Sequence, residues 1–212
     1  MTIRKSALAT AALLIASTAQ ADFSANLGWA SDYYFRGILQ KTSSPSAGID
    51  YTSENGSFYA GTWAADVAGP FGDGLEVDGY FGYNNSIGEL GYGIGYTGYF
   101  YTGDFDDTYQ EINLSVAYGW LSLDAAIGEY ENFAGPTQNY QFYKATVSHN
   151  GFYGAYGTFQ DEFDGDYFEV GYGTTVSDID LGIYLLVSDE KLGLGDDQEA
   201  LVFTIGKTFD LN

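Results

Sequence analysis

The sequence lacks cysteine, and it has only one histidine, one methionine and three prolines among 212 residues. Without cysteine no disulfide can hold the fold together, and no thiol can serve as nucleophile or metal ligand. The single histidine, His149, has no second imidazole with which to share a transition metal. Its neighbour Ser148 would point to the opposite face of a strand, which argues against a hydrolytic pair. We therefore expect no enzyme activity, no metal centre and no cofactor.

Basic residues are also scarce, at 7 against 29 acidic residues. Nucleic acid is excluded as a partner, because phosphate binding needs clustered lysine and arginine. A strongly acidic chain can be disordered, but 20 tyrosines, 15 phenylalanines and 29 glycines indicate a strand-rich fold.

No apolar run is long enough for a membrane helix. The longest, from Ala7 to Ala19, has about 13 residues, whereas a spanning helix needs roughly 20. It follows the basic pair Arg4-Lys5 and precedes Ala19-Gln20-Ala21, the small-x-small pattern of a cleavage site. The sequence therefore predicts a signal peptide at residues 1–21 and one mature domain at residues 22–212.

Apolar and polar residues alternate with a period of two along the mature chain, in twelve predicted strands. In the first strand the predicted apolar face includes Trp29, Tyr33 and Phe35, and the polar face includes Asp32 and Arg36. The same division is clear in all but the third, eighth and ninth strands, whose faces the pattern leaves open.

Short and long connections alternate between these strands. The short ones fall at Asn55-Gly56, 84–88, Gly119-Trp120, Asn150-Gly151 and 177–180, and the longer, mostly acidic ones at 69–74, 102–108, 130–138, 161–166 and 188–198. Together with one apolar face per strand, this alternation predicts an all-β fold, a transmembrane antiparallel up-and-down β-barrel of about 12 strands. We expect it in the outer membrane of a Gram-negative cell, with the termini and short turns in the periplasm and the acidic loops outside. A secreted soluble β-sandwich is the alternative.

The polar faces would line the barrel interior, about 24 Å across between backbones by strand number and tilt. The predicted pore-lining residues are Asp32, Arg36, Asp50, Glu54, Glu76, Asp78, Glu111, Asp124, Lys144 and Glu169. Arg36 is expected to meet a carboxylate on a neighbouring strand. Excess acid predicts a cation-preferring porin for small solutes. An internal ion-pair network would instead make a plugged, non-conducting structural or surface-interaction barrel.

Clustered acids in the long connections leave further alternatives open. Asp104, Asp106 and Asp107 form one such cluster, and residues 161–166 and 189–197 hold two others. Their oxygens could bind calcium or bridge to surface lipopolysaccharide through divalent cations, although none has an EF-hand spacing. A solvated acidic loop is the other interpretation.

Thr204, Gly206, Phe209 and Leu211 near the end of the chain fit a polar-x-Gly-x-x-apolar-x-apolar pattern. This pattern resembles the terminal signal of outer-membrane barrels, which implies the barrel assembly machinery as a partner, beside membrane lipid. The match departs from the usual signal in that Asn212 follows the last apolar residue.

The segment Ser31-Asp32-Tyr33-Tyr34-Phe35-Arg36-Gly37-Ile38, with residues 48–51 and 58–63, resembles the opening of the TorF family of porins. The resemblance covers about the first 45 mature residues and implies an outer-membrane barrel of unknown cargo. Beyond Ala65 the likeness is one of length, composition and spacing.

Overall fold

The computed structural model describes residues 22–69, 72–103, 105–133, 135–193 and 196–211. The predicted signal peptide, residues 1–21, lies outside the described residues, as do Asp104 and Asn212. Within the described ranges, no helix is long and apolar enough to cross a membrane.

The described residues form a single closed sheet of twelve antiparallel strands. Each strand pairs with the next, and the last pairs with the first, so the sheet closes into a barrel. The predicted barrel is confirmed, and the sandwich alternative is wrong. The strands are β1 (Asp22–Phe35), β2 (Ile38–Thr52), β3 (Phe58–Gly69), β4 (Gly72–Ile87), β5 (Leu90–Tyr101), β6 (Tyr109–Tyr118), β7 (Leu121–Tyr130), β8 (Gln138–His149), β9 (Phe152–Asp161), β10 (Gly165–Val176), β11 (Ile179–Ser188) and β12 (Gln198–Asp210).

Large apolar side chains cover the outside of the barrel. A continuous apolar surface of this extent is unfavourable in water, whereas hydrocarbon accommodates it at no cost in hydration. The alternating side chains therefore make a transmembrane barrel, as the sequence pattern predicted. The exposed residues include Leu27, Ile49, Phe81, Ile94, Phe100, Ile112, Leu114, Leu123, Ile127, Val170, Leu185, Leu201 and Phe203.

The structure also assigns the three strands whose faces the sequence left open. On β3, Phe58 faces outward while Ala65 and Val67 are buried inside. On β8 and β9, the exposed residues include Tyr143, Val147, Phe152 and Tyr156, and the buried ones include Tyr140, Phe142, Ala155 and Phe159. Aromatic residues on both faces explain why alternation alone did not distinguish them.

The two ends of the barrel differ in their connections. The turn end carries the strand termini Asp22 and Asp210 and the connections 53–57, 88–89, 119–120, 150–151 and 177–178. The loop end carries the connections 70–71, 102–108, 131–137, 162–164 and 189–197, and the turn 36–37 between β1 and β2 comes from the same side but lies inside the barrel.

Some predicted connections are wrong because strand pairing continues into them. The predicted loop 69–74 is mostly strand, since Ala68 pairs with Asp73 and Gly69 with Gly72. The predicted loop 161–166 shrinks to three residues in the same way, because Asp166 pairs with Thr158 and Gly165 with Phe159. β4 likewise extends through residues 84–87 before its turn.

Candidate functional site

The hairpin formed by β1 and β2 leaves the barrel wall partway along its length. β1 pairs with β12 only as far as Ala30, and β2 pairs with β3 only from Ser46 onward. Residues 31–44, here called the inner hairpin, pair only with each other in the ladder, with a register shift between Tyr33 and Tyr34. At its base, Ser31 Oγ accepts a hydrogen bond from Phe203 N–H, and Ser44 Oγ donates one to the Asp66 carbonyl.

The inner hairpin folds into the barrel and contacts strands around the circumference. The Tyr33 ring packs against Trp63 of β3, and the Phe35 ring packs against Tyr99 of β5. The predicted outward positions of Tyr33 and Phe35 are therefore wrong. Alternation sorts residues between lipid and lumen only while a strand is part of the wall, and protein surrounds both faces of this hairpin.

Its tip is a two-residue turn with a conformation that the sequence supports. Arg36 and Gly37 have φ values of 50° and 84°, the left-handed pair found in tight hairpins. A Cβ on Gly37 would lie 2.8 Å from Cδ1 of Leu192, in the β11–β12 connection, and 2.8 Å from Cβ of Tyr167 on β10. Glycine is needed there for its backbone conformation and for the close approach of its neighbours.

Arg36 makes a buried ion pair across the lumen. Its Nη1 and Nη2 atoms lie 2.8 Å and 2.6 Å from the two carboxylate oxygens of Glu111 on β6. The side chain of Arg36 is 9% exposed and that of Glu111 is fully buried. Because β1 neighbours only β2 and β12, the predicted partner on a neighbouring strand is wrong. The hairpin instead carries Arg36 to an acid 75 residues away in sequence.

Hydrogen bonds and rings complete the surroundings of this pair. Glu111 also accepts hydrogen bonds from the Tyr99 and Tyr140 hydroxyls, each at 2.8 Å, and from Asn113 Nδ2 at 2.6 Å. The guanidinium carbon of Arg36 lies 4.8 Å from the Phe35 ring centroid and 4.4 Å from that of Phe142. Such a desolvated, charge-assisted and stacked contact holds its partners in one geometry.

An apolar cluster lies around the tip and fills much of the lumen at this level. Its buried members come from five strands and the last loop, and Tyr34 and Ile38 of the inner hairpin pack against it. The tip is therefore packed like a protein core rather than resting loosely in a water-filled pore. The buried members are Ala126, Tyr140, Phe142, Phe159, Tyr167, Leu186 and Leu192.

Two more of the predicted pore-lining acids, Glu76 and Asp78, lie side by side on the inner face of β4. Glu76 is 0% exposed, and its Oε1 accepts a hydrogen bond of 2.6 Å from the Tyr33 hydroxyl of the inner hairpin. Asp78 is also buried. Together with Glu111, these residues place three carboxylates and one guanidinium near the hairpin.

A second inward group lies on β7, β8 and β10. Lys144 is directly opposite Asp124 in the β7–β8 ladder, and Glu169 is close enough to interact with it electrostatically. Each of the three is partly buried. Here two acids surround one base, so this group is also negative on balance.

The remaining predicted lumen residues have different surroundings. Asp50 accepts hydrogen bonds from the Tyr80 hydroxyl at 2.5 Å and from Asn26 Nδ2 at 3.1 Å, so it faces inward. Asp32 lies on the inner hairpin and accepts a hydrogen bond from Ser31. The predicted position of Glu54 is wrong, because β2 ends at Thr52 and Glu54 lies exposed in the 53–57 turn.

The acidic loops are tied together by their own side chains. Asp106 accepts hydrogen bonds from the Tyr109 and Tyr130 hydroxyls, at 2.9 and 2.7 Å. The exposed Lys191 ammonium donates to Asp164, and this hydrogen bond lowers the pKa of Asp164 and raises that of Lys191. In the described part of the chain, no three His, Cys, Asp or Glu side chains are grouped so as to hold a metal ion.

The proposed terminal signal lies on β12 and just beyond it. Thr204 and Gly206 are partly buried, whereas Phe209 and Leu211 are exposed at the turn end, at 41% and 56%. Leu211 N–H donates to the Phe23 carbonyl, which holds the end of the chain against β1. Lys207 Nζ lies 5.4 Å from the Phe209 ring centroid, so its charge stays close to an aromatic side chain.

Sequence reasoning found most of the inward acids but missed the residues that bind the tip. The donors Tyr33, Tyr99 and Tyr140 and the stacking ring of Phe142 come from three different strands, β1, β5 and β8. An available signal was the Arg36-Gly37 pair, a turn sequence within a supposed strand. The surplus of inward tyrosines was another.

A comparison with one solved structure agrees with this architecture. The chain is similar to a membrane protein solved in work on in-meso crystallization, with a TM-score of 0.58 and 11% identity over 90% of this chain and 84% of that one. At this identity the likeness concerns the fold alone. It is also similar to Pseudomonas aeruginosa OccK2 (OpdF) in complex with glucuronate, with a TM-score of 0.41 and 10% identity over 87% of this chain and 61% of that one. For a BenF-like porin of Pseudomonas fluorescens Pf-5, the TM-score is 0.40 and the identity 10%, over 86% and 58%.

No curated protein sequence matches the chain. A family of bacterial proteins of unknown function, Gcw_chp, matches residues 15–208, which is nearly the whole length. The chain therefore belongs to the Gcw_chp family.

Proposed function

We propose that this barrel is an outer-membrane channel that prefers small cations, and that the inner hairpin closes it in the conformation described. The observation that carries the proposal is the charge of the lumen around the hairpin. Inward-facing acids outnumber bases in both groups, at Arg36 and at Lys144. A narrow pore lined by net negative charge concentrates cations and repels anions.

The proposed location follows from the apolar outer surface of the barrel and from the predicted signal peptide. An apolar belt over a closed sheet suits a bilayer, and a cleaved signal peptide would export the chain to reach the outer one. The turn end, with its short connections, would then face the periplasm, and the acidic loop end the outside. Lipopolysaccharide is a proposed partner of the acidic loops. The barrel assembly machinery is the proposed partner of the terminal signal. The resemblance to the TorF family agrees with this assignment and stays a prediction.

The inner hairpin favours a second candidate, a barrel that never conducts. Its tip is packed among buried aromatic rings, and such packing can serve stability alone. Under this alternative the protein would be a structural or surface-interaction barrel. The two candidates differ in what removal of the tip does.

Planar bilayers distinguish the two candidates. Replacement of residues 33–40 by a short Gly-Ser linker removes the tip and leaves intact the parts of β1 and β2 that pair with β12 and β3. We expect this variant to show stepwise currents, whereas the unmodified barrel shows rare or small ones. Its reversal potential in a potassium chloride gradient should be cation-selective and should weaken as salt shortens the Debye length from about 10 Å at 0.1 M to about 3 Å at 1 M.

The matched control replaces residues 53–57, the exposed turn at the other end, with a linker of the same composition. This control should behave as the unmodified barrel does. A folded tip variant without currents would favour the non-conducting barrel, and an anion-selective reversal potential would refute the cation preference.

A further inference from the structure

Two neighbouring carboxylates beneath the inner hairpin have buried oxygen atoms without any donor. Glu76 Oε2 and Asp78 Oδ1 are both shielded from solvent and have no hydrogen-bond partner among the described residues. Glu76 is fully buried, and Asp78 is 9% exposed. Buried polar atoms are nearly always paired, so two orphaned acceptors on neighbouring acids require an explanation.

The geometry brings these two acids to the same place. They are two residues apart on β4, so their side chains leave the same face of the strand and both point into the lumen. The Tyr33 hydroxyl donates to the other oxygen of Glu76, and Tyr101 lies beside the same carboxylate. Neither tyrosine satisfies Oε2, which stays without a donor.

The nearby base is already engaged. Arg36 directs its two terminal nitrogens at the two oxygens of Glu111. Lys144 lies opposite Asp124, and Lys41 pairs with Asp66 at 2.7 Å. Glu76 and Asp78 therefore face each other's charge without a basic side chain of their own. An uncompensated pair of buried carboxylates is costly, and it calls for a proton or a cation.

We propose that Glu76 and Asp78 form a binding site for one small monovalent cation in the lumen. This deepens the proposed cation channel and rests on it, since the site would be a station on the path of the permeating ion. A monovalent ion fits better than calcium, which takes six to eight oxygen ligands, often from several carboxylates. Two carboxylates, with one oxygen engaged by Tyr33, replace little of an ion's hydration shell, and the cost of removing that shell rises with the square of the ion's charge, so it is lower for a monovalent ion.

The site also couples the ion to the hairpin. Tyr33 belongs to the inner hairpin, and its hydroxyl bond to Oε1 leaves Oε2 directed at the ion. Tyr33 is thus a positioning residue. The Tyr33→Phe variant should keep the two acids but bind the ion more weakly, and Tyr33→Ala should bind it no better than Tyr33→Phe.

Equilibrium dialysis with radioactive sodium or rubidium tests the site directly. The mature barrel, folded in detergent micelles, is dialysed in N-methylglucamine chloride, whose bulky cation is too large for the site. We expect saturable binding of one ion per barrel, and loss of that binding in E76Q/D78N. The control E89Q/E199Q also removes two negative charges, but from exposed positions. It should bind the ion as the unmodified barrel does.

Further arms keep the proposal falsifiable if the double variant fails to fold. No bound ion in the unmodified barrel would overturn it, and so would an infrared band of a protonated carboxylic acid there that the single variant E76Q or D78N lacks. Calcium that displaces the monovalent ion at equal concentration would overturn the choice of ion. Binding needs no conduction: a barrel that binds but never conducts refutes only the channel, and one that conducts without binding refutes only this site.

Discussion

Removal of the Arg36 side chain should release the inner hairpin. In the Arg36→Ala variant, Glu111 would stay buried with three hydrogen-bond donors but without its counter-charge. Breaking a buried ion pair from one side typically costs about 3–5 kcal/mol, and the remaining donors favour the lower end. A loss of about 3 kcal/mol shifts the docking equilibrium by roughly a hundredfold, since 1.4 kcal/mol corresponds to a factor of ten.

Because the chain has no cysteine, a single introduced thiol reports on this equilibrium without background. Gln40 lies buried in the inner hairpin, so a maleimide should label Gln40→Cys slowly in the docked state. When docking is fast relative to labelling, the rate follows the undocked fraction. Adding Arg36→Ala should then raise the labelling rate by about two orders of magnitude.

Two comparisons sharpen this test. Lys41→Ala breaks a more exposed pair in the same hairpin, where about 0–1 kcal/mol is typical, so labelling should rise by about fivefold at most. Combining Arg36→Met with Glu111→Leu removes both charges and should label more slowly than either single variant, because apolar replacement of a buried pair is often neutral. An unchanged rate in Arg36→Ala would refute the role of the ion pair in holding the hairpin.

Three further predictions follow from the geometry. Gly37→Ala should accelerate labelling at residue 40, because its Cβ meets neighbours at 2.8 Å, whereas Gly119→Ala, at φ 60° with open space, should not. Trypsin applied to intact cells should cut after Lys191, which is exposed in the loop-end connection, and fragments from a cut after Lys207 would overturn the orientation. Replacing Phe209 and Leu211 by Asp should reduce the heat-modifiable folded barrel far more than a direct lipid cost of about 0–1 kcal/mol explains, and normal levels would argue against the terminal signal.

The sequence by itself determined the barrel and most of its two faces. On β6, Ile112 and Leu114 are exposed and Glu111 is buried, as the alternation predicted. This inference succeeds because side chains on a wall strand have only two surroundings, lipid or lumen, and the period of two reports which one each meets. The turn and acidic-loop signals between the alternating segments then predicted the number of strands.

Only the tertiary structure decided what occupies the lumen. The inward fold of residues 31–44 places Tyr33 and Phe35 inside and joins Arg36 to Glu111, a contact between distant strands. The ends of the strands depended on tertiary structure too. Glu54 lies in a turn, whereas the β3–β4 pairing continues through Ala68 with Asp73 and Gly69 with Gly72. Local alternation carries no information about these features, because they depend on which surfaces meet after the sheet has closed.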